Sequence, residues 1–158
     1  MKNPIIRFGL IGGVLLFVLA QLQWQFAKSS MSYSMAETLG YLSIVLALVS
    51  IYFAVRKYRE DVGGGYITFG KAFQIGSLTA LIPAAFMFVS TVIFYLSYGE
   101  EFKQWALADM KKNTPPEKLE AMMAQYEANQ GLFDNPYFQG LLMFLTVLVI
   151  GLIVSAIT

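Results

Sequence analysis

The residues that most invite a chemical reading are Gly65-Tyr66-Ile67-Thr68-Phe69-Gly70-Lys71-Ala72, spaced like a phosphate-cradling loop, with Ala72 where the magnesium-binding Ser or Thr belongs. Such a loop also needs a buried strand before it in a soluble sheet. Here the segment lies between two long apolar runs, and its lysine opens the second of them. A flexible Gly63-Gly64-Gly65 turn followed by helix entry accounts for it more simply. Arg56, Lys57 and Arg59 stand next to the same turn. A cation near an anionic membrane surface contributes about 1 kcal/mol, so these three, with Lys71, form a candidate lipid-phosphate contact. Glu60 and Asp61 partly neutralise it, and ordinary anchoring of a membrane span explains the same cations. The chain has no Cys and no His, which removes disulfides, thiolate chemistry, imidazole bases and most transition-metal sites. Acids for an enzyme would have to come from Glu100, Glu101, Asp109 or the polar region after them, on a solvated side. An enzyme is therefore not expected, nor a metal or a cofactor.

These residues must be positioned by an unusually apolar chain. Of its 158 residues 57% are hydrophobic and only 13% charged, with 13 Phe and 9 Tyr; the mean hydropathy is +0.59. A soluble fold of this length has too little interior to hide so many apolar side chains. A net charge of +1 gives no reason to expect nucleic acid. Counted between charges, residues 8 to 27 form an uncharged run of 20, and 38 to 55 a run of 18. Residues 72 to 99 form a run of 28 interrupted only by Pro83, and 135 to 158 a run of 24. About 20 helical residues cross a hydrocarbon core of about 30 Å. The expectation is a single all-α membrane domain, a polytopic protein with four transmembrane helices at about 5–27, 38–55, 71–98 and 136–157. Lys2 and Arg7 before Phe8 to Ala20 also suit a signal peptide, but the cleavage site is poor and the apolar character continues through Leu22, Trp24 and Phe26, so a retained helix is expected.

Orientation follows from Lys and Arg in the short loops. Lys2 and Arg7 at the amino end, with Arg56, Lys57, Arg59 and Lys71 between the second and third spans, place both termini in the cytoplasm. The opposite side carries Lys28 and a long loop whose four lysines are outnumbered by seven acids.

That loop reads as an extracytoplasmic amphipathic helical hairpin over about 100–131. Phe102, Trp105, Ala106 and Met110 make one face of an extension of the third helix, with Asp109 as a blemish on it. Thr114-Pro115-Pro116-Glu117 reads as a capping box with Thr114 at N-cap, and Gly131 as a C-terminal stop. Leu119, Met122, Met123 and Tyr126 then form an apolar stripe, a candidate partner-docking surface unless it covers its own bundle or the bilayer. Asp134 or Asn135 should cap the last span.

Gly9, Gly12 and Gly13 are the candidate helix-packing residues of the first span, Gly9 and Gly13 forming one G-x-x-x-G. They suit packing inside the bundle, and homodimerisation as the alternative. No span holds a charged residue or His near its centre, which argues against proton relays and ion-coupled transport.

Pro4-Ile5-Ile6-Arg7-Phe8-Gly9, Val55-Arg56-Lys57-Tyr58-Arg59 and Gly64-Gly65-Tyr66-Ile67-Thr68-Phe69-Gly70-Lys71-Ala72-Phe73 together resemble a bacterial family of small four-helix membrane proteins, domain of unknown function 4199, along nearly the whole chain. The resemblance implies the four-span fold with a polar, helix-prone loop before the last span, and it carries no activity or catalytic residue to transfer. The ending Ala156-Ile157-Thr158 departs from the basic tail such proteins would carry. The expected function is that of a non-enzymatic inner-membrane protein, an accessory or scaffolding subunit of a larger complex. Its expected partners are membrane lipids and another membrane protein. The alternative is a lipid or small-molecule binding or transport protein that uses the cytoplasmic basic-glycine turn.

Overall fold

The computed structural model describes residues 3–158, all of whose regular structure is helical. Lys2, counted above among the inner cations, lies outside the described residues. Helix α1 spans Pro4–Ser30, α2 Tyr33–Asp61, α3 Phe69–Asn113, α4 Pro116–Ala128, α5 Gln130–Phe133 and α6 Pro136–Ile157. Four of them, α1, α2, α3 and α6, are long and apolar enough to cross a membrane. They form an antiparallel bundle, and its outward faces expose residues such as Ile11, Val18, Leu46, Val89, Val149 and Ile153. Such a belt is costly in water and neutral against lipid.

The helix starts follow local chemistry. Asn3 accepts from Ile5 N at 3.0 Å with Pro4 in the first turn, and Asn135 accepts from Tyr137 N and Phe138 N at 2.9 and 3.2 Å with Pro136 behind it. Ser32 and Thr68 cap α2 and α3 through their hydroxyls. Between α2 and α3 the chain reverses at Gly64 and Gly65, whose φ angles of +57° and +92° favour glycine.

Two expectations for the polar region are corrected. Thr114 is not the N-cap of α4. It closes α3, with φ −113° and ψ 135°, and α4 begins at Pro116 with Pro115 as a cap that makes no side-chain bond. A residue before proline is driven to extended backbone, and two successive prolines apply that restriction twice, moving the start one residue along. Gly131 does not end the helix either. The stop falls at Asn129, and Gly131 sits inside the short α5.

One end of the bundle, the end of the basic turn, is close-packed through small residues. A Cβ placed on Gly76 would meet Ser155 Oγ at 2.6 Å, and one on Gly151 would meet Ala80 Cβ at 2.6 Å, so α3 and α6 touch almost backbone to backbone. Leu48, Ile51, Ile75, Ala80 and Val147 fill the core there. At the opposite end the filling is aromatic. Trp24 of α1 packs edge-on against Phe94, Phe102 and Trp105 of α3 at centroid distances of 5.4, 5.8 and 5.7 Å, over Ala27 and Ala36. Helix α3 continues without a break past Pro83 for 45 residues, about 67 Å at 1.5 Å per residue, so it outruns a hydrocarbon core of about 30 Å.

Candidate functional site

At the aromatic end the four long helices border a half-open cavity of about 300 Å³, at the lower edge of the ~300–1,000 Å³ usual for small-molecule sites. Its apolar wall is Trp24, Ile44, Met87, Phe94, Phe102, Trp105 and Met143. Polar groups interrupt that wall from all four helices: Gln21 and Gln23 on α1, Tyr33, Glu37 and Tyr41 on α2, Ser90, Thr91 and Tyr95 on α3, and Gln139 on α6. Gln21 Nε2 donates to Ser90 Oγ at 3.0 Å, joining α1 to α3, and Gln23 Nε2 donates to the Ala36 carbonyl, joining α1 to α2. Ser90 and Thr91 are buried. The Trp24 indole nitrogen has no hydrogen-bond partner among the described residues, and the three rings edge-on to it offer only weak N–H···π contacts.

A second cavity, about 490 Å³, lies between the far part of α3 and α4. Ala106, Leu107 and Met110 of α3 face Met122, Met123 and Tyr126 of α4 across it. Helix α4 has no buried residue. It is tied down by a polar latch in which Lys103 Nζ pairs with Asp134 Oδ2 at 3.0 Å and the Tyr126 hydroxyl donates to Asp134 Oδ1 at 2.7 Å. The Lys103 ammonium also lies 5.5 Å over the Tyr126 ring. Burial pushes the Asp134 carboxyl up, but the bonds from Tyr126 and Lys103 outweigh it and hold its pKa below the usual value. Tyr126 and Asp134 in turn raise Lys103. The two cavities share Tyr33, Tyr95, Phe102 and Gln139 as a common wall.

The residues singled out from sequence fall into three places. Gly9 and Gly13 face α3, where added Cβ atoms would come within 2.5 Å of Ile82 Cδ1 and 2.7 Å of Phe86 Cδ2. Gly12 faces α2, where its Cβ would stand 2.9 Å from the Ala47 carbonyl oxygen. All three are taken up in the chain's own bundle. At the basic turn Arg56 pairs with Glu60 at 2.8 Å and Lys57 with Asp61 at 3.0 Å, while Lys71 bonds Gln74 and lies 5.7 Å over the Tyr58 ring. Arg59 enters none of the ion pairs found among the described residues. Of the α4 stripe, Met122, Met123 and Tyr126 line the second cavity, and Leu119 is half-buried.

Sequence reasoning did not single out the first cavity. A signal for it was present in Phe94, Tyr98, Phe102 and Trp105, which recur at i, i+4, i+8 and i+11 on α3 and gather around Trp24. Among the described residues no group of three His, Cys, Asp or Glu stands where it could hold a metal ion. No curated protein and no solved structure matches the chain. The family described as "Protein of unknown function (DUF4199)" matches residues 7–158, nearly the whole four-span bundle with both cavities, and the chain belongs to that family.

Proposed function

We propose that this chain is a non-enzymatic multi-pass protein of the bacterial cytoplasmic membrane that binds an amphiphilic molecule, a lipid or a lipid-sized compound, in the cavity of its aromatic end. The observation that carries the proposal is the cavity's two-sided chemistry. Rings and aliphatic side chains form most of its wall, with the Gln21–Ser90 pair, Thr91 and three tyrosines among them. Convergent polar groups in a mostly apolar concavity are the usual make-up of an amphiphile site. The basic turn gives weaker support for lipid binding, because two of its cations already have carboxylate partners. The proposed orientation puts that turn and both termini in the cytoplasm, following the excess of Lys and Arg on that side. The test is native mass spectrometry of the chain released from mild detergent. Retention of a bound amphiphile that is lost when Ser90→Leu and Thr91→Leu fill the cavity supports the proposal. A species that carries no adduct in either form overturns it.

A second reading, that of an accessory subunit, is favoured by α4. Its apolar stripe is incompletely covered, with Met122 38% exposed, and methionine adapts to irregular partner surfaces. Replacing Met122 and Met123 by Ser would then remove a specific co-purifying membrane protein and leave the isolated chain's melting temperature unchanged. Retention of that partner at the original level would return α4 to a role as a lid on its own bundle.

A further inference from the structure

We infer that the amphiphile held in the aromatic-end cavity carries a cationic amine, an alkylammonium head on an apolar chain, with Glu37 as its counter-charge. The inference rests on the binding role proposed above and adds the sign of the charge. The cavity wall contains one formally charged side chain, the Glu37 carboxylate, and neither Lys nor Arg. Glu37 is exposed and lines the cavity, so it stands where the cavity meets its surroundings. It enters none of the four ion pairs found among the described residues.

The remaining wall suits the same head. Seven aromatic rings line the one concavity, three of them tyrosines. Aromatic faces attract an ammonium and give nothing comparable to an anion. Two features would draw an acceptor: the Trp24 indole N–H, which a neutral carbonyl or hydroxyl oxygen satisfies as well as an anion does, and the amino end of α2, whose first turn reaches the cavity at Tyr33. That end already has its anion, since the Asp109 carboxylate accepts the Tyr33 backbone N–H at 3.1 Å. A phosphate or carboxylate head would therefore meet Glu37 with no Lys or Arg of the cavity wall to offset it.

The only two Trp of the chain, Trp24 and Trp105, both line the cavity, so intrinsic emission reports on it directly. The experiment titrates dodecyltrimethylammonium, below its micelle concentration, into the full chain held in uncharged maltoside micelles. A parallel titration at pH 8 uses the neutral analogue dodecyldimethylamine oxide, whose head is polar but carries no net charge. The expected result is a saturable emission change with the cation, at least about tenfold weaker apparent affinity for the neutral analogue, and a similar loss for the cation in Glu37→Gln, whose exposed side chain leaves folding untouched. Equal affinity for the two amphiphiles overturns the amine preference and leaves the binding role standing. Failure of both to bind overturns the two together. Binding of the cation unaffected by Glu37→Gln also overturns the inference. A second arm separates the sources of the head: the chain in nanodiscs of mixed phosphatidylethanolamine and phosphatidylglycerol is released for native mass spectrometry. Selective retention of phosphatidylethanolamine identifies a bilayer lipid, and loss of both lipids from a chain that binds dodecyltrimethylammonium identifies a free amine.

Discussion

Asp109 accepts the backbone N–H of Tyr33 at 3.1 Å across 76 residues of sequence, so the far part of α3 supplies a capping acceptor for the first turn of α2. Ser32 caps the same turn through its hydroxyl, bonded to Met35 N at 3.3 Å, and the second acceptor satisfies another of the turn's free donors. Removing such an acceptor costs about 0.5–2 kcal/mol. Asp109→Ala should lower the unfolding free energy by about 1 kcal/mol in detergent, and Asp109→Asn, which keeps an oxygen there, by less. No loss in either variant on thermal or denaturant unfolding would show that the bond contributes nothing.

The three glycines of α1 should differ in their tolerance. A methyl group at Gly12 meets the Ala47 backbone oxygen, which cannot move without shifting α2, whereas at Gly9 and Gly13 it meets side chains of α3. Gly12→Ala is expected to destabilise by about 1–3 kcal/mol, the range of overpacking, and Gly9→Ala by less because the Ile82 terminus can rotate. Gly70→Ala, with open space around it, serves as the control. Melting of the three variants in one detergent decides the order.

The latch at α4 should be pH-dependent, with a sign that follows from its pKa shifts. Asp134 is held below the usual carboxylate value, so its contribution is present above that value, near 4, and is lost as pH falls through the lower folded one. Lys103 is raised, so its contribution is present below the usual lysine value and is lost only as pH rises through a still higher one. Protease nicking of α4 should therefore increase on acidification and stay low through neutral and mildly alkaline pH. Asp134→Asn should give a faster rate that no longer depends on pH in that window.

A chain without cysteine is convenient for mapping orientation. Membrane-impermeant thiol reagent added outside intact cells should label Lys118→Cys on α4 and leave Glu60→Cys at the basic turn unlabelled until the cells are opened. The reverse pattern would invert the proposed orientation.

The four spans were legible because a charge in hydrocarbon is expensive, and the distances between charges therefore mark the helices directly. Arg7 to Lys28 brackets the apolar run of α1, and Asn135 with Pro136 starts α6 as expected. The cavity was less legible because its polar pairs are remote in sequence. Gln21 and Ser90 lie 69 residues apart, and each by itself reads as an ordinary polar residue in a membrane helix. Asp109 was a blemish on an apolar face until the position of α2 was known; its carboxylate then proved to be a tether. The start of α4 was missed by one residue because Thr-Pro-Pro-Glu matches a capping pattern while the second proline displaces it.

The wall of Tyr33, Tyr95, Phe102 and Gln139 belongs to both cavities at once. The two chambers therefore have a party wall, and a substitution that changes the bulk of any of these four side chains changes the room in both.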